Sequence, residues 1–240
     1  MLQGRWSPLS LSNSASGVYS LDMLNDGDKG VILQRDKQTY AIAPHLPCGV
    51  VTAATLRKLA DAAEKYGVAA IKVTSAARIA LVGLREEQID AVWADLGMDP
   101  GHAVGLCVRS IKACPGTTFC KRGLQDSLGM GLALDERYHG MPMPGKLKLG
   151  VSGCPNQCGE TFIKDVGLVG TARGWKLLVG GCGGGKPVLG RVLAEDLATE
   201  DALELVERVI HRYRANSKPH ERLARVIDRL GFEAFQASVK

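Results

Sequence analysis

The chain has 240 residues, 45% of them hydrophobic and 23% charged, with lysine plus arginine exceeding aspartate plus glutamate by 30 − 25 = +5. This length suits two sub-domains sharing a core, and so modest a basic excess gives no reason to expect a nucleic-acid partner. No run is long and apolar enough to span a bilayer and no leader pattern stands at Met1 to Ser20; with an odd count of 7 cysteines, a reducing, cytoplasmic location is expected rather than a disulfide framework.

From Met1 to about Lys29 the chain is rich in Ser, Asn, Gly and Asp without periodicity, which predicts a mobile or wrapping N-terminal arm, extended to 1–36 as a unit. Thr39 to Ala43 reads as a strand and Leu46-Pro47-Cys48-Gly49 as the turn after it. A helix behind Thr52 carries Leu56, Leu59, Ala63 and Tyr66 at helical spacing and stops at Gly67. Two strands follow, near Ala69 to Thr74 and Arg78 to Val82. Alternation turns Ile71, Val73, Ile79 and Leu81 toward the helix and leaves Lys72 and Arg78 on the opposite face, for water or an anion. Glu86 to Leu96 reads as a second amphipathic helix, completing a first unit at 37–99.

A second unit, 100–240, begins at Pro100-Gly101. It holds four cysteines in two pairs, Cys114-Pro-Gly-Thr-Thr-Phe-Cys120 and Cys154-Pro-Asn-Gln-Cys158. Gly123 to Tyr138 between them reads as a helix whose N-terminal end points toward the first pair. Four thiolates on two separated loops suit a [4Fe-4S] cluster. Zinc is the rival reading, although zinc pairs usually sit two to four residues apart and the first pair here is wider. Small ferredoxins are excluded, since their tightly spaced cysteine run is absent. Lone cysteines such as Cys48 and Cys107 read as small buried hydrophobes.

Just ahead of the second pair, Lys146-Leu-Lys-Leu-Gly-Val151 alternates strictly. This predicts a strand with Leu147, Leu149 and Val151 inward and Lys146 and Lys148 side by side on the other face, where two ammonium groups repel unless an anion joins them. Beyond Cys158, Thr161 to Ile163, Val166 to Gly170 and Lys176 to Val179 read as strands. The run Gly180-Gly-Cys-Gly-Gly-Gly185 is no dinucleotide fingerprint, and its plainer use is close backbone approach to a flat cofactor. Glu195 to Gln236 reads as mostly helical, broken by Pro219, with His211 and His220 on the surface.

The pattern Lys-x-Lys-x-x-Val-Ser-Gly-Cys-Pro-Asn-x-Cys, preceded by Cys-x5-Cys, resembles the sirohaem and [4Fe-4S] nitrite and sulfite reductase family. The likeness runs from about Tyr40 to Val239 and includes Val179 to Gly184 and Lys218-Pro-His-Glu-Arg-Leu223. It is nearest to single-repeat members, such as small assimilatory-type sulfite reductases, and to the corresponding segment of the large nitrite reductase subunit. The resemblance implies an α+β fold: a ferredoxin-like half-domain followed by an α/β sirohaem and iron–sulfur domain. It implies that Cys114, Cys120, Cys154 and Cys158 bind the cluster and that Cys158 also meets the sirohaem iron. By the same likeness Arg78, Arg109, Lys146 and Lys148 surround the substrate anion, while Lys72, Arg78, Arg109, Gly181 and Gly183 contribute to holding the cofactor. The chain departs from the family at Ala77, where an amide residue is frequent, and at Cys182, where Asn is frequent.

The implied reaction is the six-electron reduction of sulfite to sulfide or nitrite to ammonia, fed by an external carrier such as a ferredoxin because no flavin or nicotinamide motif is present. A single repeat carrying both the basic residues and the cysteines further suggests a homodimer. Alternatives are a sirohaem and iron–sulfur electron-transfer protein without turnover, or a related redox enzyme of corrin biosynthesis.

Overall fold

The computed structural model describes residues 23–240. Most of the expected arm therefore lies outside the described residues, but its last part does not: Val31–Leu33 forms strand β1, paired antiparallel with β2 (Tyr40–Ile42). Val31 is fully buried, so this segment belongs to the first core rather than to an arm.

Strand β2 continues into the order β1-β2-β4-β3, all antiparallel, with β3 at Ala70–Val73 and β4 at Ile79–Leu84. Helix α1 (Ala53–Tyr66) starts where the Thr52 hydroxyl accepts the Thr55 N–H, and Gly67 ends it in the left-handed conformation. Helix α2 (Ile89–Leu96) follows a single 3-10 turn at Glu86–Gln88, so the expected second helix begins three residues late. Leu59, Ala62, Leu81, Leu84, Ile89 and Val92 close this core. Two of the residues expected in it are not there: Ile71 and Val73 are 51% and 67% exposed. They do share a face with Leu81 and Ile79, their partners across the ladder, but β3 is the sheet edge and α1 does not reach over it.

The second unit is built on a sheet in the order β5-β6-β7-β8-β9, with β5 at Lys112–Ala113, β6 at Leu149–Ser152, β7 at Val166–Thr171, β8 at Gly174–Val179 and β9 at Arg191–Leu197. The first three strands run parallel, β8 pairs antiparallel with β7, and β9 pairs antiparallel with β8. Leu147, Leu149 and Val151 are buried as their alternation requires.

Helix α3 (Gly116–Phe119) makes a single turn between the first two cysteines. Helix α4 (Ser127–Tyr138) starts later than expected, because residues 121–126 turn back to give the Leu124 and Gln125 N–H groups to the Gly153 carbonyl before Asp126 caps the helix at the Gly129 N–H. Met130, Leu134 and Tyr138, at helical spacing, pack it on the sheet.

Two further expectations fail locally. Thr161–Ile163 is a 3-10 turn, not a strand, since Glu160 ahead of it takes a positive φ of 56°. Glu195 to Leu197 belongs to β9, and the helices begin after it as α5 (Thr199–Asn216), α6 (Leu223–Leu230) and α7 (Phe232–Val239). Pro219 does fall in the break between α5 and α6. No helix among the described residues is long and apolar enough to cross a membrane.

Candidate functional site

The parallel pairing of β5 with β6 brings the two cysteine pairs together. Ala113 faces Val151 across the ladder and the Cys114 N–H donates to the Val151 carbonyl, so Cys114 and Cys154 leave the same end of adjacent strands. The loops then interlock. The Gly153 N–H donates to Cys114 Sγ at 3.1 Å, and Ser127 Oγ, at the start of α4, stands 3.1 Å from the same sulfur while donating to the Cys114 carbonyl at 2.8 Å. A backbone N–H and the N-terminal end of α4 are thus both directed at one sulfur. Cys120 and Cys158 are exposed, and Cys114 and Cys154 partly so.

Among the described residues no three His, Cys, Asp or Glu side chains converge closely enough to share one metal ion.

The basic residues gather beside these loops. A cavity of about 410 Å³ is lined by Arg78, Arg109, Lys146 and Lys148 together with Thr74, Ala76 and Ala80. A second, of about 200 Å³, shares Ala76, Arg109 and Lys148 with the first and adds Ser110, Lys112, Glu160, Lys164 and Gly183. Lys112 lies two residues before Cys114, and Glu160 two residues after Cys158. The cationic space therefore adjoins both cysteine loops.

Each cation is held by its own element. Arg78, at the entry to β4, is only 3% exposed; Nε donates to Ser110 Oγ at 2.6 Å and Nη2 to the His102 carbonyl at 3.4 Å, while Nη1 has no partner among the described residues. Burial, and then the neighbouring Arg109, push its pKa down to about 10. Arg109 donates to the Ala103 and Gly105 carbonyls, and burial lowers its pKa as well.

Lys148 is destabilised as a cation first by burial and then by Arg222, Lys164 and Lys146. Its backbone N–H donates to Asp165 Oδ2 at 2.8 Å. That carboxylate, fully buried, is gripped by Arg222 at 3.0 and 2.6 Å. Burial raises the Asp165 pKa against the pull of Arg222, and Asp165 in turn holds the Arg222 guanidinium above its usual value despite burial. The pair anchors the start of β6, and with it the position of Lys148. In the second cavity Glu160 bridges Lys112 and Lys164, at 2.5 and 2.9 Å.

Not all the expected residues meet here. Lys72 lies on the face of Thr74 and Ala80 but outside both cavity linings, and its ammonium donates to the Val73 carbonyl. Gly183 lines the smaller cavity, whereas Gly181 is packed so tightly that a Cβ would come within 2.4 Å of the Lys164 and Phe162 carbonyl oxygens. Lys112, Glu160, Lys164, Ser110 and the Asp165–Arg222 pair were not anticipated. Of these, Arg222 carried a sequence hint, since it lies in the Lys218-Pro-His-Glu-Arg-Leu223 stretch of the family likeness.

Residues 104–240 match the family model described as the nitrite and sulphite reductase 4Fe-4S domain, and residues 32–98 the nitrite/sulfite reductase ferredoxin-like half domain. The chain is 48% identical over 216 residues to the assimilatory-type sulfite reductase of Nitratidesulfovibrio vulgaris, covering 90% of this chain and 99% of that one. It is 38% identical over 205 residues to the NAD(P)H nitrite reductase of Bacillus subtilis, covering 85% of this chain but 25% of the other. The crystal structure of dissimilatory sulfite reductase I superposes with a TM-score of 0.75 at 17% identity, over 84% of this chain and 69% of that one, a likeness of fold.

Proposed function

Because the chain belongs to the nitrite and sulphite reductase family, we propose that it binds sulfite in the cationic cavity and reduces it to sulfide, with nitrite to ammonia as the second reaction of the same site. The observation that carries this reading is the gathering of Arg78, Arg109, Lys146 and Lys148 around one cavity next to the cysteine loops. Sulfite is put first because the assimilatory-type sulfite reductase is matched over nearly its whole length, whereas the nitrite reductase carries much that this chain does not.

Family members use sirohaem and a [4Fe-4S] cluster, and the residues present suit both. Cys114, Cys120, Cys154 and Cys158 would hold the cluster, and Cys158 would also serve the sirohaem iron; the Gly153 N–H directed at Cys114 Sγ is a donor that a cluster sulfur accepts. The Arg78 guanidinium in the wall of the larger cavity and the ammonium groups of Lys112, Lys148 and Lys164 suit a ligand rich in carboxylates. Gly183 would let a flat ring approach, with Gly181 shaping the turn behind it and Lys72 at the outer rim. When bound, the two groups supply the electrons that reduce an anion held at the tetrapyrrole.

The chain's own residues do the rest. Arg78 and Arg109, half-stripped of water, neutralise the oxyanion in a low-dielectric space, where each charge counts for more than it does in solvent. Lys146 and Lys148 share one strand face and offer ammonium protons to the oxygens that leave as water. Burial and mutual repulsion make the Lys148 ammonium a readier proton donor than a free lysine. The functional units are taken as 37–99, joined by the β1 strand Val31–Leu33 that completes its sheet, and 100–240. Electrons come from a separate carrier such as a ferredoxin, the compartment is the cytoplasm, and the assembly is a homodimer in which a second copy covers the apolar β3 edge at Ile71 and Val73.

Steady-state assays on sulfite and nitrite with reduced methyl viologen test the proposal. Turnover of both, with sulfite preferred, is the expected result. Bound cofactors without reduction of either anion would favour a non-catalytic electron-transfer protein instead.

A further inference from the structure

Beyond the Arg78 end of the cavity lies a polar cluster that the reaction as described does not use. His45, on the segment after β2, meets Asp135 Oδ2 through Nε2 at 2.7 Å, and the Asp135 side chain is only 4% exposed. His139, one turn past Asp135 at the end of α4, stacks on His45 with ring centroids 3.5 Å apart and an interplanar angle of 10°. His102, from the connector between the two units, packs its ring edge-on against His139 at 5.3 Å. His45 Nδ1, Asp135 Oδ1 and His139 Nε2 are all buried without a partner among the described residues. A cluster that leaves so many polar atoms unsatisfied is costly to keep, which asks what it does.

The contacts lead to Arg78. The carbonyl of His102 accepts Arg78 Nη2, so the backbone at residues 101–102 sets where the guanidinium sits. That backbone is wedged in place. A Cβ on Gly101 would lie 1.9 Å from the Ala43 carbonyl oxygen and 3.1 Å from Arg78 Nη1, and one on Gly140 would lie 2.6 Å from the His102 ring. His102 itself is held at a positive φ of 39°, a conformation a non-glycine residue keeps only when its surroundings impose it. Against the His102 ring lies the His139 ring and, stacked on that, His45.

We propose that His139 is a positioning residue for Arg78: wedged between the rings of His45 and His102, it fixes the 101–102 turn whose carbonyl holds one Nη of Arg78, and so sets where the guanidinium stands in the wall of the anion cavity. The flat ring is what the role requires, because stacking on one side and an edge contact on the other need a planar group of that width. A charge on it would work against the role. His45, His102, Arg78 and Asp135 face it, Glu136 lines the same outer cavity of about 480 Å³, and the net effect of burial and these neighbours holds it neutral.

This inference rests on the reading that the cavity binds the anion. The test compares cofactor-loaded wild type with His139→Ala, His139→Gln and His139→Phe, by calorimetric titration with sulfite and by steady-state reduction with reduced methyl viologen. Loss of the flat ring in Ala and Gln is expected to raise the sulfite Kd and KM by about tenfold, the scale seen for outer partners of a site, with kcat at saturation little changed, and Phe is expected to restore most of the affinity. Gln keeps bulk and polarity, so it reports even where Ala does not fold. Wild-type sulfite affinity in Ala or Gln, with only a lower melting temperature, would overturn the positioning role, as would a fall in kcat at unchanged KM. Sulfite bound but not reduced by wild type would overturn the proposed function and leave the positioning role standing; no uptake of sulfite by wild type would overturn both.

Discussion

Lys146 and Lys148 occupy one face of a strand whose other face is sealed in the core, so neither can turn away from the cavity without breaking the burial of Leu147 and Leu149. Replacing Lys146 by Met keeps the stem and removes the ammonium. The expected result is a protein that retains both cofactors by absorption and loses about 10²–10³ in kcat, the scale of one missing charge-stabilising donor. Normal rates in Lys146→Met would remove it from the catalytic set.

His139 gives a residue-scale prediction on stability. Its pKa is pushed down to about 4, by burial first and then by His45, against the pull of Asp135. A base with a depressed pKa binds fewer protons folded than unfolded between that value and the ordinary value of about 6.5, so its contribution falls as pH drops through this window and levels off below it. Thermal melts should therefore lose less stability between about pH 7 and pH 4 in His139→Phe than in wild type; identical pH dependence would contradict this.

At this scale the sequence was most legible where chemistry is local. Cysteines in pairs and lysines in alternation carry their geometry in their spacing, and the structure brings the four basic residues to one cavity. The histidine cluster was invisible, because His45, His102 and Asp135 are joined only by folding and each alone looks like a surface residue.

Among elements, β6 is the one on which the site hangs. Lys148 stands just before it and the second cysteine pair just past its end, and the Asp165–Arg222 pair pins its entrance through the Lys148 N–H. Breaking one partner of such a pair leaves a buried uncompensated charge, costing about 3–5 kcal/mol. Arg222→Leu should therefore lower the melting temperature by roughly 10 °C. A change of a degree or two would show that the pair is not what holds the strand.

Element boundaries were less legible than element identities, for physical reasons that differ from place to place. Helix α4 starts late because residues 121–126 are needed to tie the first cysteine loop to Gly153. Glu195 to Leu197 has helical composition but pairs as the outer strand of the sheet, where β8 supplies hydrogen bonds that local preference does not. Ile71 and Val73 follow the expected alternation, yet an edge strand beyond the reach of α1 leaves them in solvent.

For the whole molecule, one chain supplies both the basic residues and the cysteine loops, and the two cavities lie where the half-domain, through Arg78 and Ala76, meets the sheet of the second unit. Light scattering of the holoprotein should give a mass near 2 × 25.6 = 51.2 kDa if a second copy covers the β3 edge. A mass near 25.6 kDa would assign the whole pocket to a single chain.

The proposed reduction depends on thiols from two loops jointly holding an inorganic iron–sulfur group. Iron and acid-labile sulfide analysis of protein purified without air tests this most directly. The account predicts both in equal amounts, about four of each bound to the cluster cysteines per chain. Folded protein without labile sulfide, or with a single zinc in its place, would contradict it.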